Sequence, residues 1–75
     1  MTEMTPVTSS LIESIGYDAE GRKLYVKFQK SPGWVFRYEE VPQAVYDDLR
    51  AAPSVGKFFL KEIKGVYPST KQEAG

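Results

Sequence analysis

Apolar and polar positions alternate most cleanly from Lys23 to Gln29, where Leu24, Val26 and Phe28 fall on one side of an extended chain and Lys23, Tyr25 and Lys27 on the other. A second extended stretch, Trp34 to Glu39, sets Trp34, Phe36 and Tyr38 against Val35, Arg37 and Glu39. Lys30-Ser31-Pro32-Gly33 separates the two, because proline cannot donate to a ladder and glycine completes a tight turn. Upstream, Leu11 to Tyr17 reads as a strand whose apolar members Ile12, Ile15 and Tyr17 depart from strict alternation, which calls for a bulge or a late start. Asp18-Ala19-Glu20-Gly21 is a turn signal, with Gly21 expected at positive φ. Short turns between three consecutive strands predict an antiparallel meander.

Past Val41 the period changes from two to helical. Pro42 suits a first helical turn, and Val45, Leu49 and Ala52 recur on one face with Tyr46 beside them. Pro53 ends that helix, and Ser54 is placed to cap a second one spanning Val55 to Lys64. Val55, Phe59 and Ile63 line its apolar face, which Phe58 widens, and Gly65 follows as a helix C-cap glycine would. Val66-Tyr67-Pro68 is expected to pack back on the domain. The predicted fold is therefore α+β: a three-stranded antiparallel β-meander followed by two short helices packed on one face. Residues 1–9 are expected to form a loose lead-in, residues 10–67 the single domain and residues 68–75 a loose tail.

Composition narrows what can hold such a domain together. At 75 residues the chain buries only about 60% of its unfolded surface. It has no cysteine for a disulfide and no histidine, which excludes structural zinc of the Cys/His kind. The core must do the stabilising, and Trp34, five tyrosines and four phenylalanines supply bulk for it. A second subunit would add buried area, so a homodimer is one open expectation. No apolar run approaches the roughly 20 residues a membrane span needs, and Met1 to Pro6 lacks the pattern of a signal peptide, so the expected location is cytoplasmic with no membrane partner.

Net charge is formally zero, which argues against tight, charge-driven nucleic-acid binding. The zero conceals blocks. Residues 1–21 carry Glu3, Glu13, Asp18 and Glu20 without a base, and residues 22–37 carry Arg22, Lys23, Lys27, Lys30 and Arg37 without an acid. Charge patches are thus expected locally, or else solvated faces that pair across neighbouring strands.

Val7, Ser9-Ser10, Ile15-Gly16-Tyr17-Asp18, Leu24 to Phe28, the Phe36-Arg37-Tyr38 triplet, Val41-Pro42, Val45-Tyr46, Ala52, Ser54 to Phe59, Ile63 and Tyr67 stand in an order that resembles the KTSC domain family. That family takes its name from a C-terminal appendage of some lysyl-tRNA synthetases and also occurs as small bacterial and phage proteins. The resemblance implies a small domain for which RNA binding has been suggested through that association. The family's Tyr-x-Tyr triplet reads Phe36-Arg37-Tyr38 here, so the first hydroxyl is missing.

The usual catalytic pairs are absent, since there is neither Cys nor His, and adjacent carboxylates such as Glu39-Glu40 and Asp47-Asp48 point in different directions. No enzyme and no cofactor are expected. Ser54-Val55-Gly56-Lys57 lacks the glycine and length of a P-loop. Ser54, Gly56 and Lys57 at a helix start are nonetheless a candidate anion site, against the plainer reading of Ser54 as N-cap and Gly56 as a packing glycine. The outward sheet face gathers Lys23, Tyr25, Lys27, Val35 and Arg37, an aromatic among cations suited to stacking a base and holding its phosphates. The same face could instead be solvated or buried in a partner, and an exposed Trp34 would mark such a contact. The expected function is a non-catalytic binding module for RNA through this face, the alternative being a protein-interaction or homodimerisation module.

Overall fold

Leu24, Val26 and Phe28 do share a face, and the strand that carries them is the middle one of a five-stranded sheet. The computed structural model describes residues 4–73. In chain order the strands are β1 (Thr5–Pro6), β2 (Ile12–Asp18), β3 (Lys23–Phe28), β4 (Ser31–Tyr38) and β5 (Ser69–Glu73), with helices α1 (Gln43–Ala51) and α2 (Val55–Glu62) between β4 and β5. Spatial order follows chain order, and every pairing is antiparallel.

The fold is α+β as expected, but the sheet is wider than the meander of three. At one edge Thr5 and Pro6 pair with Ile15 and Ser14 of β2, within the lead-in expected to be loose, of which residues 1–3 lie outside the described residues. At the other edge Ser69–Glu73 pairs with Trp34–Tyr38, where a loose tail was expected. All five residues of β5 are exposed and polar, so ladder hydrogen bonds rather than an apolar face hold it. Such an edge is also a poor template for aggregation.

Glu13 is the extra residue in β2. The register steps from Ile12↔Phe28 to Ser14↔Lys27, which lets Ile12 and Ile15 both face the core. A second irregularity follows Lys27↔Val35, because Phe28 pairs with Ser31. Pro32 and Gly33 therefore lie within β4, at an interruption of the ladder where a missing N–H costs little, and the break expected to precede the strand falls inside it.

The β2–β3 turn uses a different residue from the one expected. The Asp18 Oδ1 accepts from the amides of Glu20 and Gly21, and it is Arg22, at φ 54°, that takes the left-handed conformation. Gly21 serves instead by its lack of a side chain, since a Cβ there would sit 3.1 Å from Asp18 Oδ2. The Arg22 carbonyl then accepts from the Val41 amide at 2.8 Å.

Both helices bury one side against the same face of the sheet. Leu49, Val55, Phe59 and Ile63 join Ile12, Ile15, Leu24, Val26, Tyr38 and Val41 in one core. Pro42 stands just outside α1 as its extended N-cap rather than within the first turn. Ser54 caps α2, accepting from the Lys57 amide at 3.3 Å. The second helix ends at Glu62, two residues before the expected limit, and Gly65 takes φ 80° in the turn beyond. Tyr67 packs back on the core, whereas Val66 is 60% exposed.

Candidate functional site

Neither helix lies on the outward sheet face. Register places Lys27 between Ser14 and Val35, with Gln72 beyond, and Tyr25 between Gly16 and Arg37, with Thr70 beyond. Lys23 stands opposite Asp18 in the next row. All five side chains expected on this face, Lys23, Tyr25, Lys27, Val35 and Arg37, are brought together there, each half-buried. Ser14 and Gly16 are buried, so the platform's floor on the β2 side is made of small residues.

Its charge is more nearly balanced than its cations alone suggest. Glu39 holds Arg37 through Nε at 2.6 Å and lies 4.0 Å from the Lys23 ammonium. These groups are about a third exposed, where such pairs contribute at most about 1 kcal/mol, but they lower the field a phosphate would meet. Among the described residues, Lys27 is the cation of this face without an ion pair. Parity along the strand already put Glu39 beside Arg37, since residues two apart on a strand share a face.

The helix-start residues serve a structural purpose. The Ser54 Oγ is engaged by the Lys57 amide. A Cβ on Gly56 would meet Ser9 Oγ at 3.2 Å and Leu11 Cβ at 3.3 Å, so the segment before β2 covers the spot where an anion would approach Gly56. Lys57 itself is exposed.

Phe36 and Tyr38 point to the helix side. Phe36 meets Phe28 edge-on at 5.1 Å, Phe28 meets Phe59 at 5.3 Å, and Tyr38 meets Phe59 at 5.4 Å. Burial pushes the Tyr38 phenol's pKa up, and hydrogen bonding with the Ser69 side chain works against that rise. Trp34 shares the helix side, is 37% exposed, and has the Lys71 ammonium 4.6 Å from its ring centre.

One feature was not foreseen from the sequence. Beside the Phe28–Phe36–Phe59 cluster opens a recess of about 280 Å³, walled also by Leu11, Tyr38 and Leu60, with Lys30 and Lys64 at its rim. Its origin is geometric. Two helices of nine and eight residues are only about 12–14 Å long, and they do not cover a sheet five strands wide at about 4.8 Å per strand.

Among the described residues no cluster of three or more acidic, Cys or His side chains could hold a metal ion, and no helix is long and apolar enough to cross a membrane. No buried side-chain polar atom among them lacks a hydrogen-bond partner.

The chain is similar to several known proteins. A protein of Tsukamurella paurometabola is 47% identical over 61 residues, spanning 81% of this chain and 88% of that protein. A lysine–tRNA ligase of Nostoc punctiforme is 38% identical over 58 residues, 77% of this chain but 10% of the ligase. The crystal structure of a KTSC domain protein from Yersinia pestis superposes with a TM-score of 0.86 at 33% identity, covering all of both chains. The KTSC domain profile itself matches residues 8–67, so this chain belongs to the KTSC domain family.

Proposed function

We propose that the chain is a non-catalytic binding module that takes single-stranded RNA weakly on its outward sheet face. The observation that carries this reading is the cross-strand placement of Tyr25 beside Arg37, with Lys27 in the adjacent row, on a face no helix covers. A base stacked on Tyr25 would contribute about 1–3 kcal/mol, and Lys27 and Arg37 would meet the flanking phosphates. The appearance of a related segment within a lysine–tRNA ligase, an enzyme named for an RNA substrate, supports the same class of ligand. Neutral net charge and the Glu39 pairs keep the binding weak.

Fluorescence anisotropy with a labelled single-stranded RNA tests the reading. Tyr25→Ala is expected to weaken binding roughly 5- to 150-fold, in line with the loss of one stacked base worth about 1–3 kcal/mol. Equal affinity of the variant and the parent would remove the platform from the account.

A further inference from the structure

We infer that the recess between α2 and the β3–β4 strands docks an acidic peptide through one large apolar side chain, most suitably phenylalanine. At about 280 Å³ it lies just below the roughly 300–1,000 Å³ of sites that enclose a small-molecule ligand, which suits a single anchoring side chain. Its walls are Phe28, Phe36, Phe59 and Leu60, and edge-to-face aromatic contacts fix the first three against each other. The pocket is therefore preformed, as an anchor site should be.

Charge selects the rest of the partner. Lys30 and Lys64 stand at the rim, and among the described residues no carboxylate lines the recess. Lys71 projects from the same side of β5, opposite Phe36. A peptide with Asp or Glu flanking its anchor would thus meet ammonium groups on leaving the pocket, whereas a basic peptide would be repelled. Leu60, half exposed on α2, is the lip over which the chain would lie. This surface and the Tyr25 platform lie on opposite faces of the sheet, so each can fail without the other.

The test uses the whole chain and a capped seven-residue peptide of Asp and Glu around a central Phe. Titration followed by two-dimensional NMR is expected to shift the signals of Phe28, Phe36, Phe59, Leu60 and Lys64. Replacing the peptide's Phe with Ala, or its acids with Lys, is expected to weaken binding at least tenfold. The double variant Lys30→Glu/Lys64→Glu, whose sites are exposed, is expected to keep the native spectrum and lose at least fivefold in affinity. Absence of shifts at millimolar peptide, shifts confined to the Tyr25 face, equal binding of the basic peptide, or unchanged affinity of the double variant would each overturn the inference. So would shifts of the same signals with protein concentration alone, which would assign the recess to a second copy of the chain.

Discussion

The hydroxyl of Tyr17 donates to the carbonyl of Val41 at 2.5 Å, joining the second strand to the entrance of the first helix across 24 residues of sequence. The Tyr17 ring also stacks on Tyr46 at 5.0 Å, and Arg50 lies over the far ring. Tyr17→Phe keeps the stack and removes only the hydrogen bond. It is expected to cost about 0.5–1.5 kcal/mol. For a domain of this size that corresponds to a fall in Tm of roughly 2–12 °C, measured by thermal denaturation. An unchanged Tm would mean that water replaces the bond at no cost.

The same tyrosine is expected to give the domain an alkaline limit. Burial pushes the Tyr17 pKa up, the Arg22 guanidinium pulls it back, and the Asp18 and Asp47 carboxylates push it up again; burial also raises Tyr38. With folded values above the ordinary value near 10, the neutral phenols stabilise the fold fully below that pH. This contribution is lost as pH rises through the folded values. Urea midpoints are expected to decline above about pH 10, and less steeply for Tyr17→Phe than for the parent. Parallel declines would show that Tyr17 plays no part.

Gly56 tests how tightly the segment before β2 is pressed on α2. Alanine in its place gains helix propensity of up to about 1 kcal/mol. Against that, the new Cβ crowds Ser9 Oγ at 3.2 Å and Leu11 Cβ at 3.3 Å. The Ser9 oxygen is itself held by the Leu11 and Ile12 amides, so it yields poorly. Overpacking of this kind costs about 1–3 kcal/mol. Gly56→Ala is therefore expected to lower chemical stability by about 1 kcal/mol net. A stabilised variant would mean that the segment moves aside freely.

Glu40 sits at φ 57°, a conformation that glycine takes without strain. Its side chain is exposed and makes no hydrogen bond or ion pair among the described residues. Relief of about 1–2 kcal/mol of strain is partly offset by the greater freedom of glycine in the unfolded chain. Glu40→Gly should thus raise stability by up to about 1 kcal/mol, read as a shift in urea midpoint. A destabilised variant would show that the carboxylate matters in a way its surroundings do not suggest.

The fold was legible where apolar side chains follow a period. Leu24, Val26 and Phe28 marked the central strand, the broken spacing of Ile12 and Ile15 marked the bulge at Glu13, and Pro53-Ser54 marked the boundary between helices. The edge strands were not legible. Ser69-Thr70-Lys71-Gln72-Glu73 carries no apolar alternation, and Thr5-Pro6 is too short to show any; backbone hydrogen bonding to a neighbour, invisible in side-chain pattern, places both. The platform could be assembled from strand parity alone, which gathered Tyr25, Lys27 and Arg37 and put Glu39 among them. The recess could not, because Leu11, Phe28, Phe36 and Leu60 meet only once the width of the sheet and the shortness of the helices are known.

On the proposed RNA platform, Glu39 is expected to be the control point. Glu39→Gln removes the charge that pairs with Arg37 and the Lys23 ammonium, and is expected to free both for phosphate. RNA affinity at low salt is expected to rise roughly 3- to 10-fold. The slope of log K against log salt should steepen by about 0.7 for each further phosphate that the freed cations neutralise on a single strand. Anisotropy titrations at several salt concentrations measure both. Unchanged affinity and slope would mean that phosphates do not approach this edge of the sheet.

The most direct measurement is a two-dimensional NMR titration of the whole chain with mixed-sequence single-stranded RNA at low and moderate salt. The account predicts shifts clustered on Tyr25, Lys27, Val35 and Arg37 that fade as salt rises, with Leu60 and Lys64 undisturbed on the opposite side. No shifts at millimolar RNA, or shifts centred on the helix side, would contradict it.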